Sequence, residues 1–78
     1  MDIEQRVKNI LLDILDIDEE QIVPTASLRS DLGASSVDLV EIIAALENEF
    51  DLDIPDSEAQ SVRTVGAIIE YVQRKTAA

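Results

Sequence analysis

Ser35 and Ser36 are the residues whose type and position could support covalent chemistry, because they are adjacent hydroxyl groups at the start of a predicted helix. A serine hydroxyl becomes a strong nucleophile when a neighbouring base takes its proton. The chain contains no histidine and no cysteine, and no lysine lies in a motif that would activate Ser36. We therefore expect no enzymatic activity from the chain itself, with partner enzymes supplying any reaction at Ser36. Taken alone, either serine could equally be an ordinary helix cap.

Runs of acidic residues suggest a second kind of chemistry, the binding of calcium. An EF-hand loop needs glycine at its sixth position and a bidentate acid at its twelfth. Counting from the first acid of either run, Asp16 or Asp51, neither requirement is met. We predict no dedicated metal site. An acidic helical module that binds divalent cations and regulates a partner is the alternative from a different functional class.

The charge of the chain favours some partners and disfavours others. Seventeen acidic and six basic residues give a formal net charge of −11, which repels nucleic acids and anionic membranes. The same charge favours encounters with basic protein surfaces, although acidic surfaces also simply keep proteins soluble. No stretch approaches the roughly 20 apolar residues that span a bilayer, and the amino terminus lacks a basic region followed by an apolar run. We expect a cytoplasmic monomer that binds neither nucleic acid nor membrane.

Apolar residues recur at helical spacing in three segments, which predicts three long helices. The first covers residues 3 to 15, the second residues 36 to 50, and the last begins at Val65 with Thr64 as its cap. Proline followed by acids at residues 55 to 58 suits a short helix before the last one. The sequence therefore predicts a small all-α bundle of three long helices and one short helix, folded as a single domain over residues 1–78.

The connection from residue 16 to residue 35 is longer than most loops of compact domains. Its apolar residues could pin it to the core, and they are Ile17, Ile22, Val23, Leu28 and Leu32. The core itself must be aliphatic, because the chain has one phenylalanine, one tyrosine and no tryptophan.

The second helix carries two apolar faces. One is the core set of Leu39, Ile42, Ile43, Leu46 and Phe50. At 100° per residue, Val37, Val40 and Ala44 cluster roughly 140° away. Acidic residues flank this second stripe, namely Asp38, Glu41 and Glu47. Either the long connection or the short helix covers this stripe, or the stripe is a surface on which the acids steer a partner protein and the apolar groups anchor it. We expect Val37 to face solvent.

Residues 31 to 38 read Asp-Leu-Gly-Ala-Ser-Ser-Val-Asp, which resembles the attachment motif of acyl carrier proteins, usually Asp-Leu-Gly-Ala-Asp-Ser-Leu-Asp. The resemblance continues through residues 18–22, 45–50 and 53–56, so it covers nearly the whole chain. It implies an acyl-carrier-protein-like fold with phosphopantetheine attached to Ser36 by a phosphopantetheinyl transferase that uses coenzyme A. Acyl groups would then be carried on the arm as thioesters.

The resemblance also implies the pathway and the partners. The partners would be acyl-transferring, condensing and modifying enzymes of fatty-acid or related lipid biosynthesis, which dock through basic surfaces. We predict that they contact Val37, Asp38, Val40, Glu41, Ala44 and Glu47. A discrete polyketide, aminoacyl or D-alanyl carrier is the alternative within the same family.

The chain departs from the usual motif directly before the modified position. Ser35 stands where the family usually has an acid, and it supplies a second hydroxyl beside the attachment site. Leu39 replaces a residue that is commonly polar, and Ala44 one that is methionine in many fatty-acid carriers. These differences suggest a specialised carrier, and the small side chain of Ala44 could leave room for a bulkier cargo.

Overall fold

A computed structural model describes residues 2–77 and, within that range, contains helices but no strand. Helix α1 covers Ile3–Ile14, α2 covers Ser36–Phe50, α3 covers Asp56–Ala59 and α4 covers Val65–Thr76. A single 3₁₀ turn, Glu19–Gln21, lies in the connection between α1 and α2. The predicted bundle of three long helices and one short helix is confirmed. None of these helices, over the range described, is long and apolar enough to cross a membrane.

The long helices begin where side chains satisfy their first free amides. The Asp2 carboxylate accepts a hydrogen bond from the Gln5 amide at 2.8 Å in α1. The Thr64 hydroxyl accepts one from the Ala67 amide at 3.1 Å, so the predicted cap of the last helix is confirmed. Helix α1 ends one residue earlier than predicted, because Leu15 adopts an extended conformation with ψ of 147°.

The core between the long helices is mainly aliphatic, as predicted, and it also contains the two aromatic residues, Phe50 and Tyr71. Its most fully buried side chains are all leucine, isoleucine or valine, including Leu11, Ile42 and Ile68. Both α2 and α4 pack against α1. Arg6 of α1 also reaches α2, where its Nε donates to a Glu49 carboxylate oxygen at 2.8 Å. This ion pair is partly exposed and adds at most about 1 kcal/mol, so apolar burial positions α2.

The long connection is pinned to the core largely as predicted, with one exception. Ile22, Leu28 and Leu32 are buried, and Ile17 is half-buried. The prediction that Val23 is a pin is wrong, because 45% of this residue is exposed. Its carbonyl accepts from the Ala26 amide at 2.9 Å in a turn that places Ala26, not Val23, against the core.

Backbone hydrogen bonds fasten the same connection to the segment that enters α4. The Leu28 amide donates to the Arg63 carbonyl at 2.9 Å, and the Gly66 amide donates to the Pro24 carbonyl at 2.9 Å. A Cβ atom at Gly66 would lie 2.9 Å from that same carbonyl oxygen. Glycine at this position therefore permits the close approach that seats the connection on α4.

We predict that Gly66→Ala separates the connection from α4 and destabilises the fold by about 1–2 kcal/mol, despite the better helix propensity of alanine. The matched control is Ala45→Gly on α2, a partly buried position, whose cost is about 1 kcal/mol of helix propensity together with the packing of one methyl group. Urea unfolding followed by circular dichroism measures both. A Gly66→Ala protein as stable as the parent would contradict the close contact.

Candidate functional site

The start of α2 is held in place by the turn that precedes it. Gly33 adopts a left-handed conformation with φ of +71°, as the sequence predicts for a tight turn. The next residue, Ala34, is buried, and its amide donates to the Leu28 carbonyl at 2.8 Å. Because Leu28 is itself fastened beside α4, the position of residues 35 and 36 is fixed by the core.

A reciprocal pair of hydrogen bonds caps α2. The Ser35 hydroxyl oxygen accepts from the Asp38 amide at 3.1 Å, and the Asp38 carboxylate accepts from the Ser35 amide at 2.9 Å. This arrangement is a capping box, which satisfies two free donors at once. The sequence predicts that either Ser35 or Ser36 caps α2, and the geometry assigns the cap to Ser35.

Ser36 is the first residue of α2, one position beyond the cap. It is exposed, and within residues 2–77 its hydroxyl has no hydrogen-bond partner. Over the same range, the backbone amides of Ser36 and Val37 also have no acceptor. An unengaged hydroxyl therefore lies beside free amides at the positive end of the α2 dipole, an environment that favours an anionic group.

The second apolar stripe of α2 faces solvent. Val37 is 67% exposed and Val40 is 69% exposed, so the predicted exposure of Val37 is confirmed. The alternative in which the connection or the short helix covers Val40 is wrong. Ala44 is exposed as well. A row of small apolar groups thus runs along α2 from the free hydroxyl of Ser36.

The three acids beside this stripe differ in their roles. Glu41 is exposed, with no partner in the part of the chain described. Asp38 is half-buried and belongs to the capping box. Glu47 is half-buried, and its carboxylate accepts from the Ile54 amide at 2.8 Å, which ties the segment before α3 to α2. Glu41 is thus the acid with the greatest freedom to meet a partner.

A cavity of about 650 Å³ lies between the connection, α2, α3 and the start of α4, with Arg29 and Arg63 among its lining residues, and its size is typical of small-molecule pockets. Its apolar walls are formed mainly by Leu39, Ile43, Ala44, Ala59, Val62 and Ile68. Val40 also borders the cavity, so the cavity adjoins the exposed stripe. Sequence reasoning did not locate this cavity, since the small side chain of Ala44 could either leave room there or be compensated by its neighbours.

One hydrogen bond joins the short helix α3 to α4. The Tyr71 hydroxyl donates to the Glu58 carboxylate at 2.6 Å, and the Lys75 ammonium lies 3.4 Å from the same oxygen. Burial, together with the hydrogen bond to Glu58, raises the pKa of Tyr71 to about 12. The hydrogen bond from Tyr71, with help from Lys75, lowers the pKa of Glu58. Sequence reasoning missed this pair, whose only signal was the single tyrosine.

The acidic side chains of residues 2–77 do not cluster. Within that range, acidic side chains do not come together in groups of three or more that could hold an ion. The two acidic runs noted in the sequence are therefore not gathered into a calcium loop.

A comparison with known protein families matches residues 5–72 to a family model described as the phosphopantetheine attachment site. The matched interval spans most of the chain, from the first turn of α1 into the last turns of α4. It includes the α2 amino terminus with both serines and every element that lines the cavity.

We predict that the two serines contribute unequally to stability. Ser35→Ala removes the cap of α2 and should lower the free energy of unfolding by about 1 kcal/mol. Ser36→Ala, the matched control, removes an exposed hydroxyl without a partner and should change it by less than about 0.5 kcal/mol. Urea unfolding measures both values. A larger loss for Ser36→Ala than for Ser35→Ala would contradict the assignment of the cap.

We predict that Tyr71 titrates near pH 12. Since it is the only tyrosine and the chain lacks tryptophan, ultraviolet absorbance reports this one phenol. Its pKa is raised from 10.0 to about 12, so its stabilising contribution is complete below pH 10 and is lost as the pH rises towards 12. Glu58→Gln should lower the midpoint. A midpoint near 10 in the parent protein would contradict the burial of the phenol and its hydrogen bond to Glu58.

Proposed function

This chain belongs to the phosphopantetheine attachment site family, and we propose that its attachment residue is Ser36. Members of this family are carriers that hold a phosphopantetheine group covalently. The arm supplies a terminal thiol, on which a carrier holds its cargo as a thioester. The single observation that carries the assignment is the exposed Ser36 hydroxyl, which has no hydrogen-bond partner between residues 2 and 77.

The residues around Ser36 fit a phosphodiester. The free amides of Ser36 and Val37 could donate to its oxygens, and the α2 dipole favours its negative charge. Ser35 retains the cap, so modification of Ser36 leaves the start of the helix intact. Because the chain has no histidine, the transferase would supply the base that takes the Ser36 proton and any metal ion that the reaction needs.

We propose acyl chains of fatty-acid or related lipid biosynthesis as the cargo. The cavity beside the stripe is lined mainly by aliphatic side chains, and each methylene group transferred from water into such a space contributes about 0.8 kcal/mol. A hydrocarbon chain would therefore gain more from the cavity than a small aminoacyl or D-alanyl group. The spare room beside Ala44 supports a specialised carrier with a bulkier cargo.

The partners we propose are the transferase and the enzymes that transfer, condense or modify acyl groups. The exposed valines, Val37 and Val40, offer apolar contacts next to Ser36, and Glu41 lies between them and solvent-facing Ala44 along α2. A basic docking surface would complement Glu41 and the net charge of −11, which speeds encounter without requiring tight binding. Tethering the cargo then raises its effective concentration at the docked enzyme.

We predict that Ser36→Ala abolishes loading. Incubation of the unmodified protein with coenzyme A and a phosphopantetheinyl transferase should add one phosphopantetheine, seen in the intact mass spectrum. The matched control, Ser35→Ala, should still be loaded, because it retains the Ser36 hydroxyl. Circular dichroism would establish that both variants are folded. Loading of a folded Ser36→Ala protein would contradict the proposal.

We predict that reversing the charge of Glu41 slows the reaction with a partner enzyme. Glu41→Lys should lower kcat/KM for an enzyme with a basic docking surface by about threefold to tenfold at low salt. Glu70→Lys makes the same change in net charge at an exposed position on α4 and should lower kcat/KM much less. Equal losses in the two variants would mean that only the total charge matters, and that Glu41 has no special role in docking.

A further inference from the structure

Helix α3 has few means of holding its own position. It consists of four residues, none of them fully buried, and Pro55 at its amino end provides no side-chain cap. Isolated helices of this length are unstable, because the first turn fixes several residues for few hydrogen bonds. Contacts with the rest of the fold must therefore determine where α3 lies.

The firmest polar contact of α3 is with Tyr71. Tyr71 is only 3% exposed and belongs to the core, so its ring is a fixed point on α4. Its hydroxyl donates to the Glu58 carboxylate at 2.6 Å, and a hydrogen bond to an ionised group is stronger than a neutral one. Lys75, one turn further along α4, holds the same carboxylate oxygen at 3.4 Å.

Helix α3 is also one wall of the cavity. Ala59 lines it from α3, and Val40 and Ala44 line it from α2. The α2 wall is fixed by its packing on α1 and, at the end nearest α3, by the bond between Glu47 and the Ile54 amide. The width of the cavity therefore depends on α3, the wall with the least support of its own.

We infer that Glu58 and Tyr71 are positioning residues that determine which acyl chain lengths the carrier retains. The inference rests on the proposed function, in which the cargo occupies this cavity. With the bond in place, α3 closes on a chain of matching size and shields its thioester from water. Without the bond, α3 moves outward, so a short acyl chain loses contacts with the cavity wall while a long acyl chain gains space.

The experiment measures thioester lifetimes on the loaded protein. A phosphopantetheinyl transferase loads the parent chain and its Tyr71→Phe variant with octanoyl or hexadecanoyl phosphopantetheine from the matching acyl-coenzyme A, releasing adenosine 3′,5′-bisphosphate. Hydrolysis of the thioester is then followed by intact mass spectrometry. Tyr71→Phe keeps the ring but loses the bond. The ratio of the hexadecanoyl half-life to the octanoyl half-life should rise by at least about threefold in this variant, because a charge-assisted hydrogen bond is lost.

Two further variants separate positioning from stability. Glu58→Gln keeps an oxygen that accepts from Tyr71 but loses the charge, so it should raise the ratio less than Tyr71→Phe does. Thr76→Val removes a 2.7 Å hydrogen bond to the Val72 carbonyl within α4 without touching α3, and it should leave the ratio unchanged. Hydrogen exchange should quicken at residues 57–62 in Tyr71→Phe and stay unaltered in α1.

The outcomes are distinguishable. An unchanged ratio in loaded Tyr71→Phe would overturn the inference, and so would an equal rise in Thr76→Val, since that would reflect general loosening of α4. If the parent protein, without any substitution, accepts no phosphopantetheine arm at Ser36, the proposed function is instead refuted. If that protein accepts the arm but shows octanoyl and hexadecanoyl lifetimes equal to those of the free thioesters, the cavity holds no cargo and the inference fails alone.

Discussion

The capping box between Ser35 and Asp38 is the interaction on which the account of the site depends. Four amides at the start of a helix need acceptors, and two adjacent serines could have served. Because the Ser35 hydroxyl accepts the hydrogen bond from the Asp38 amide, the Ser36 hydroxyl is not needed to cap the helix. The acid that usually precedes the modified serine is absent here, and its replacement is the residue that supplies the cap.

Helix α2 carries a core face, an exposed apolar stripe and one wall of the cavity. On its core face, Ile42 and Leu46 are fully buried, and α2 packs against α1. Its exposed stripe begins next to Ser36 and continues through Val40 to the rim of the cavity. A cargo arriving at the amino end of α2 would therefore meet apolar surface along the helix before reaching the space bounded by α3. Short α3 is joined to α4 by the hydrogen bond from Tyr71 to Glu58, and in the inference drawn above it is the wall of this space that adjusts to the cargo.

Much of the fold could be predicted from the sequence because its determinants are local. Periodicity placed α2 at residues 36–50, Thr64 marked the start of α4, and the angular separation of Val37 from the core set predicted an exposed residue. What escaped prediction depends on contacts between distant parts of the chain. The approach of Pro24 to Gly66 and the bond from Tyr71 to Glu58 leave no local pattern. The division of roles between Ser35 and Ser36 was also hidden, since identical side chains differ here only in geometry.

The most direct test of the account is to locate the arm on the protein isolated from its natural host. Trypsin cleaves after Arg29 and Arg63, so one peptide, residues 30–63, contains both candidate hydroxyls and three other serines. Fragmentation of this peptide in a tandem mass spectrometer assigns the modification to a single residue. The account predicts phosphopantetheine on Ser36 with Ser35 unmodified. An arm on Ser35, or on any other serine of the peptide, would contradict it.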